Sequence, residues 1–211
     1  MKLKLKALGL GVLAAVAAGS IAAVNASATA NGHFTSGTAH VLIKGTENTT
    51  HKVKLSVDGG TTFECDEASY TGTTNSTTVT ELTITPTYHK CHTTGGVIFP
   101  KTMNGCDYVF YSQGTRVHGT VKIICPSGKA IEIHHPNCTI TVGTSHALAG
   151  GVSYTNLTQQ LTANFTVSEI PAEYHAGACI FLGTSHKATM TGSLTIAGTD
   201  TNGTSVEFVS T

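Results

Sequence analysis

The chain has 211 residues, contains 23 glycines and no tryptophan, and only 11% of its residues are charged. Its formal net charge is zero, and three of its 12 lysines and arginines stand near the N-terminus, so the rest of the chain is weakly acidic. Such a chain has no basic patch that neutralises a run of phosphates, which argues against a nucleic acid partner. Good helix formers are scarce and threonine is abundant, so the composition predicts strands and turns.

Residues 1–30 have the pattern of a secretory signal peptide. Lys2, Lys4 and Lys6 precede an apolar run, and residues 26–30 contain two overlapping Ala-x-Ala cleavage signatures. An apolar run of this length is also compatible with an uncleaved membrane anchor. The small residues after the run favour cleavage, so we expect a secreted protein, extracellular or associated with the cell surface, with no stable membrane span after cleavage.

The first predicted strands alternate between apolar and polar residues. In residues 51–57, Val53, Leu55 and Val57 share one face, and lysines occupy the other face. This pattern is typical of a strand with one buried and one wet side. Residues 58–60 read Asp-Gly-Gly and favour a tight turn into the next strand, which predicts a hairpin.

A second group of predicted strands surrounds the central cysteines. Residues 78–86 place Leu82 and Ile84 on an inward face and end at a proline, which cannot donate to a strand ladder. Residues 104–110 and 120–133 then read as three strands in succession. The first two of these carry one cysteine each, so we expect a disulfide to clamp them.

The second half of the chain resembles a degenerate copy of the first half. The paired segments are residues 69–71 with 153–155, 83–91 with 167–175, and 118–133 with 191–208. The three blocks recur in the same order, which favours an internal duplication over chance similarity in a threonine-rich chain.

Strands at this spacing, joined by turns and without helical periodicity, predict an all-β fold. We expect two tandem antiparallel units, each β-sandwich-like or an open barrel, stapled by disulfides. The predicted organisation is a signal peptide over residues 1–30, a first β-rich domain over 31–140, and a smaller β-rich repeat over 141–211.

Six cysteines follow the predicted leader, where an exported chain meets an oxidising environment. Six cysteines allow fifteen pairings, and the spacing alone does not choose among them. We adopt the sequential pairing, in which the first domain holds two bridges and the third bridge ties the junction to the second unit. The predicted pairs are Cys65 with Cys91, Cys106 with Cys125, and Cys138 with Cys179.

Several spaced motifs resemble a large group of secreted proteins of high-GC Gram-positive soil bacteria. The motifs are residues 83–88 (Thr-Ile-Thr-Pro-Thr-Tyr), 103–110 (beginning Met-Asn-Gly-Cys), 125–129 (Cys-Pro-Ser-Gly-Lys), 135–139 (His-Pro-Asn-Cys-Thr) and 178–184. The similarity covers nearly all of the chain after the leader. The group carries no established activity, so the resemblance implies secretion and a β architecture but no particular chemistry.

Eleven histidines are unusual in a chain with so little charge. His89, His92, His134 and His135 are candidate ligands for zinc or copper, because neutral imidazole is the commonest protein ligand for these metals. The four side chains converge only if the two segments are neighbouring strand ends. The alternative is that they are polar, solvent-facing positions of strands.

Other chemistry is less well supported by the sequence. Calcium is a third metal to consider, because an acidic cluster follows Cys65 and a turn begins at Asp200, but neither has the ligand count of a known calcium loop. Ser-His pairs begin at Ser145 and Ser185, yet adjacent residues of a strand point to opposite faces and share a proton poorly. We name no catalytic residue, and the balance is against an enzyme.

The sequence therefore favours a binding or structural role at the cell surface or in the medium. A secreted hydrolase and a histidine-based metal-binding protein are the alternatives. An extracellular ligand is expected, and carbohydrate and protein both remain open as partners. No cofactor is required by this interpretation, with zinc, copper and calcium kept as candidates.

Overall fold

The computed structural model describes residues 32–57, 61–113, 118–135, 138–145, 150–175 and 187–211. These residues form strands joined by turns, and no helix occurs among them, which confirms the predicted all-β class. Accordingly, the described ranges include no helix with the length and hydropathy needed to cross a membrane. The predicted signal peptide lies outside the described residues.

The largest sheet closes on itself. Its strands are β2 (Val41–Glu47), β3 (Lys54–Val57), β4 (Thr62–Thr74), β6 (Glu81–Thr93), β8 (Asp107–Ser112), β9 (Gly119–Ile124), β12 (Gly150–Leu157), β13 (Gln160–Pro171), β15 (Lys187–Thr199) and the short β16 (Ser205–Val206). β2 and β3 act as two halves of one interrupted strand, because both pair with β4 on one side and β15 on the other. With β2 and β3 counted as one strand, each strand of the ring is antiparallel to the ring strand that precedes it in the chain. β15 closes the ring because it pairs with β13 and also with β2 and β3. We call this the closed sheet.

The interior of the closed sheet is filled by every second side chain. In β6, for example, Leu82, Ile84 and Tyr88 are buried while Thr83 and Thr85 are exposed. Because side chains alternate between the two faces of a strand, one face of each strand supplies the core and the other meets water. This is the pattern that the sequence predicts for Leu82 and Ile84.

Two long strands are irregular near one end of the closed sheet. The buried face of β6 switches at Lys90, which has a φ of 52°, although β6 keeps the same register with β4 on both sides of this residue. In β13 the register shifts between Val167 and Ile170, and Glu169 there has a φ of 61°. The shift in β13 has the form of a β-bulge, which bends a strand and increases its twist.

Two tyrosines inside the closed sheet pack directly on glycines. A β-carbon on Gly45 would lie 2.9 Å from Cβ of Tyr70, and one on Gly119 would lie 2.5 Å from the Tyr154 ring. The Tyr154 hydroxyl also donates to the carbonyl oxygen of Tyr111 at 3.0 Å. Only glycine leaves room for a ring this close to a neighbouring backbone.

A three-stranded sheet lies at one end of the closed sheet. It consists of β1 (Phe34–Ser36), β5 (Thr78–Val79) and β17 (Phe208–Ser210), with β1 in the middle. Phe34 stacks on Phe208 with ring centroids 6.1 Å apart and meets Tyr154 edge-on at 5.4 Å. The Asn156 side chain both donates to and accepts from the backbone of Ser210, at 2.9 Å each. The segment near residue 34 and the segment near residue 209 therefore seal the same end together.

A four-stranded sheet lies near the opposite end. Its strands are β7 (Lys101–Thr102), β10 (Ile131–His135), β11 (Cys138–Val142) and β14 (Glu173–His175), in the order β14-β11-β10-β7. Ile131, Ile133, Ile140 and Val142 are buried and belong to the same hydrophobic core as the closed sheet. The opposite face of this sheet carries polar side chains.

Two of the predicted disulfides are present. Cys65 and Cys91 are paired residues of β4 and β6, and Cys106 is bonded to Cys125 across the β8–β9 hairpin. Cys138 is also disulfide-bonded. Cys179, its predicted partner, lies outside the described residues.

Strand pairing crosses the domain boundary that the repeat predicts near residue 140. β15, from the second predicted unit, pairs with β2 and β3 from the first unit. β12 in turn pairs with β9. Strands from both predicted units therefore share the closed sheet.

Candidate ligand-binding site

A cavity of about 70 Å³ lies between the closed sheet and the four-stranded sheet, and it is partly open to solvent. Residues from both sheets and from the connection between β6 and β8 form its wall. The wall residues are Val53, Leu55, Phe63, Glu64, Cys65, Tyr88, Phe99, Lys101, Met103, Tyr108, Ile123, Ile131, Ile133, Val142 and Met190.

The segment between β2 and β3 contributes Val53 to the wall of the cavity. The Glu47 carboxylate accepts a hydrogen bond from the backbone N–H of Val53, and burial raises the pKa of Glu47 above its ordinary value. This contact holds Val53 inward, where it is 7% exposed. Elsewhere in the wall, Phe99 meets Phe63 edge-on with ring centroids 5.1 Å apart.

The wall residues are apolar except for the charged Glu64 and Lys101 and the tyrosines Tyr88 and Tyr108. The Glu64 carboxylate forms an ion pair with Lys54, whose ammonium lies 2.8 Å away. That hydrogen bond lowers the pKa of Glu64. Glu64 therefore stays ionised and directed to its partners, so the cavity itself suits an apolar group.

Three buried tyrosine hydroxyls form a chain that ends in the cavity wall. Tyr70 donates to Tyr88 at 3.5 Å, and the hydroxyls of Tyr88 and Tyr108 are 2.9 Å apart. Burial raises the pKa of Tyr108 to about 12 and raises the pKa values of Tyr70 and Tyr88 well above their ordinary range. All three phenols are therefore neutral at physiological pH.

A network of ion pairs lies on the outer surface beside the cavity. Asp66 accepts from Lys52 at 2.9 Å and lies 3.4 Å from Nε2 of His92. The pKa of His92 is raised, first by its hydrogen bond to the carbonyl oxygen of Thr93 and then by Asp66. Glu64 is a further neighbour of His92, at 3.9 Å. The acidic cluster that the sequence offered for calcium is thus occupied by basic side chains.

The candidate metal ligands fall on two different sheets. His89 and His92 belong to β6 of the closed sheet, whereas His134 and His135 belong to β10 of the four-stranded sheet. His134 lies 3.3 Å from the Glu132 carboxylate. The placement of the His135 side chain is not described. Within the described ranges, no three histidine, cysteine or acidic side chains are grouped to hold a metal ion.

The remaining polar motifs have structural contacts. The Asp200 carboxylate accepts the backbone N–H groups of Asn202 and Thr204, which builds the turn between β15 and β16. Ser145 is buried, and its hydroxyl accepts the N–H of Ile123 at 2.9 Å. His146 and the second Ser-His pair lie outside the described residues.

A polar groove of about 400 Å³ lies on the outer face of the closed sheet, near the break between β2 and β3. Hydroxyl, amide and lysine side chains line it, and such groups suit a carbohydrate, which is one of the two partner classes that the sequence leaves open. Its lining is Thr50, His51, Lys52, Lys54, Gly151, Ser153, Asn164, Phe165, Thr166, Thr191 and Gly192. Lys52 and Lys54 are already paired with Asp66 and Glu64, so the groove offers less free charge than its composition suggests.

Comparison of the chain with known protein families, with curated proteins and with solved structures finds no match. The resemblance to secreted Gram-positive proteins therefore stays a prediction.

The sequence did not predict this cavity. The inward-facing alternation of β4, β6 and β8 indicates that Tyr70, Tyr88 and Tyr108 are buried, and this is the signal that was available. Which of them reach a cavity depends on the four-stranded sheet, whose position over the closed sheet has no local sequence signature.

Proposed function

We propose that the protein is a secreted binding protein that takes an apolar group of an extracellular ligand into the cavity between the closed sheet and the four-stranded sheet. The observation that carries the proposal is the apolar wall of this cavity, built from aliphatic, aromatic and methionine side chains.

The apolar wall of the cavity favours binding of an apolar group. The cavity is partly open to solvent, so water reaches this wall while no ligand is bound. An apolar group that fills it recovers dispersion contacts and removes apolar surface from water, so occupancy is favourable.

The size of the cavity limits what enters it. A dry cavity of about 150 Å³ accommodates benzene, and this cavity has about half that volume. We expect a small ring or the end of a chain to enter, with the remainder of the ligand at the partly open mouth. Methionines suit such a site, because their flexible side chains adapt to different shapes.

Export is the second part of the proposal. Disulfides persist in oxidising compartments, and every described cysteine is disulfide-bonded. The leader pattern supports the same compartment. A protein outside the cell depends on a covalently braced fold, which fits a binding role in the medium or at the cell surface.

The test uses methionine methyl groups as reporters inside the cavity. Apart from Met1, the chain has only Met103 and Met190, and both line the cavity. Protein labelled with ¹³C at methionine methyls is titrated with cyclopentane and other small hydrocarbons. We expect saturable shifts of both methyl signals, with dissociation constants in the millimolar range or tighter.

Matched variants locate the binding. Leu55→Phe places a larger ring in the wall, and we expect it to abolish the saturable shifts. Leu157→Phe makes the same change at an exposed position, where Leu157 is 48% exposed, and should bind like the unmodified protein. Absence of any saturable shift in the unmodified protein would remove the proposed function.

A further inference from the structure

The three-tyrosine chain has more hydroxyl protons than hydroxyl–hydroxyl contacts. Three phenol hydroxyls carry three protons, and the chain has two hydroxyl–hydroxyl contacts, Tyr70 to Tyr88 and Tyr88 to Tyr108. Whatever the direction of the second contact, at least one O–H proton has no acceptor within the chain.

The spare proton lies on a tyrosine of the cavity wall. Tyr70 donates to Tyr88, so the proton left over belongs either to Tyr88 or to Tyr108, depending on which of them donates to the other. Both line the cavity, and they are 8% and 4% exposed. Among the described residues, neither hydroxyl has a further hydrogen-bond partner.

A buried donor without an acceptor is costly, so a partner is expected. The free energy of such a donor rises by about 1 to 3 kcal/mol relative to a hydrogen-bonded one. A lone water needs two to four polar partners to be well held, and this wall is otherwise apolar except for Glu64 and Lys101. An oxygen joined to an apolar group satisfies both the spare proton and the rest of the wall.

We propose that the ligand group entering the cavity carries a hydrogen-bond acceptor oxygen, as in a small ketone, ester or ether, and that the hydroxyl of Tyr88 or Tyr108 donates to it. This inference rests on the proposed function, since it names the chemical class of the group bound in the same cavity. It assigns Tyr88 and Tyr108 as the residues that distinguish such a group from a hydrocarbon.

The experiment compares two probes that differ at one atom position. Cyclopentanone presents a carbonyl oxygen where methylenecyclopentane presents a CH₂ group of similar size. Each is titrated into the folded, disulfide-bonded protein while the Met103 and Met190 methyl signals are followed. We expect the ketone to bind about tenfold more tightly, which corresponds to one net hydrogen bond to a buried donor.

Two variants assign the preference to the cavity hydroxyls. The double variant Tyr88→Phe with Tyr108→Phe removes both, and the preference should fall close to onefold. Tyr70→Phe is the matched control, because it removes a buried hydroxyl that does not line the cavity. The remaining Tyr88 and Tyr108 pair still has one spare proton, so this control should keep the preference.

The possible outcomes separate the two proposals. Equal binding of the two probes overturns the acceptor inference and leaves the proposed function standing. A ketone preference that survives in the double variant also overturns the inference, because it then arises elsewhere. Binding of neither probe removes the proposed function and the inference with it. The comparison in the unmodified protein decides the matter even if the double variant does not fold.

Discussion

His92 shows how a surface residue acquires a shifted proton affinity from its neighbours. Its ring bonds the carbonyl oxygen of Thr93 through Nδ1 at 3.1 Å, while Nε2 faces the Asp66 carboxylate at 3.4 Å. Both contacts favour the protonated ring, so the pKa of His92 is raised above its ordinary value of 6.5. The side chain that the sequence offered as a metal ligand is therefore an ion-pair partner.

We expect the stability of the protein to fall with rising pH in the range where His92 titrates. The pKa of His92 is higher in the folded than in the unfolded chain, so its contribution is fully present below about pH 6.5 and is lost as the pH rises through the folded-state value. Urea denaturation at a series of pH values measures the effect. His92→Gln should flatten the dependence in this window.

NMR titration of the His92 ring gives the independent check. Asp66→Asn should lower the pKa of His92, because it removes the negative charge that raises this pKa after the Thr93 contact. Glu67→Gln is the control, since Glu67 pairs with Lys90 on the same surface. A His92 pKa that is the same in both variants would contradict the assignment.

Burial at single positions could be predicted from the sequence, but the site could not. Alternation places Leu82, Ile84 and Ile123 inward, and all three are buried. Tyr88 follows the same alternation, yet its role as cavity wall depends on residues of a different sheet. Local periodicity reports which face a side chain occupies and does not report what covers that face.

At the scale of elements, the described pairing between β9 and β12 is the shortest in the ring of the closed sheet. β12 pairs with β13 over eight residue pairs, whereas its described pairing with β9 is the single pair Val152 and Gly119. The Tyr154 ring covers Gly119 at this seam, so side-chain packing replaces part of the missing ladder. The backbone amides of β12 that face β13 therefore have a longer ladder of hydrogen-bond partners than those that face β9.

Hydrogen exchange should therefore alternate along β12. Successive N–H groups of an antiparallel strand point to opposite neighbours, so we expect slow exchange for amides facing β13 and faster exchange for those facing β9. β13 is the internal control, because it pairs with β12 and with β15 over long stretches. Uniform protection along β12, measured by NMR, would argue against a weak seam.

Elements with alternating patterns could be predicted, and their irregularities could not. The strands near residues 53–57 and 78–86 follow from apolar alternation, as does the hairpin clamped by Cys106 and Cys125. The positive φ of Lys90 escapes prediction, because a positive φ at a lysine has no composition signal. The register shift of β13 beside Glu169 escapes it for the same reason.

At the scale of the whole molecule, the three-stranded sheet joins distant parts of the chain at one end. β1 pairs with β17, and the backbones of His33 and Thr211 exchange hydrogen bonds of 2.9 and 2.8 Å. Ser112, in the middle of the chain, contacts Ser210 at 3.0 Å. This end is therefore held by early, central and late segments together.

Phe208→Ala should destabilise the whole molecule. Phe208 is 1% exposed and packs on Phe34, and truncation of a buried phenylalanine typically costs about 3 to 5 kcal/mol. Chemical denaturation measures the change in unfolding free energy. Val209→Ala, next in sequence and partly exposed, should cost about 1 kcal/mol or less. If Phe208→Ala lowers the unfolding free energy as little as Val209→Ala is expected to, the packing of Phe208 in the three-stranded sheet adds little to stability.

The predicted division into two units depends on the predicted repeat. Residues 69–71 and 153–155 occupy β4 and β12, and each places a buried tyrosine against a glycine of a neighbouring strand. The two similar segments therefore make similar tyrosine–glycine contacts, and both belong to the same closed sheet. Local similarity does not specify whether two halves close separately or complete each other, because that depends on which edges pair.

The order of strands in the closed sheet also has a consequence for the growing chain. Each strand can pair with the one made just before it, but the ring is completed only when β15 reaches β2 and β3. A partly synthesised polypeptide therefore carries an open edge until almost all of it is available. Lys44 and Lys54 lie on that edge, and lysines there discourage pairing with foreign chains. A chain that ended before residue 187 would keep this edge unpaired.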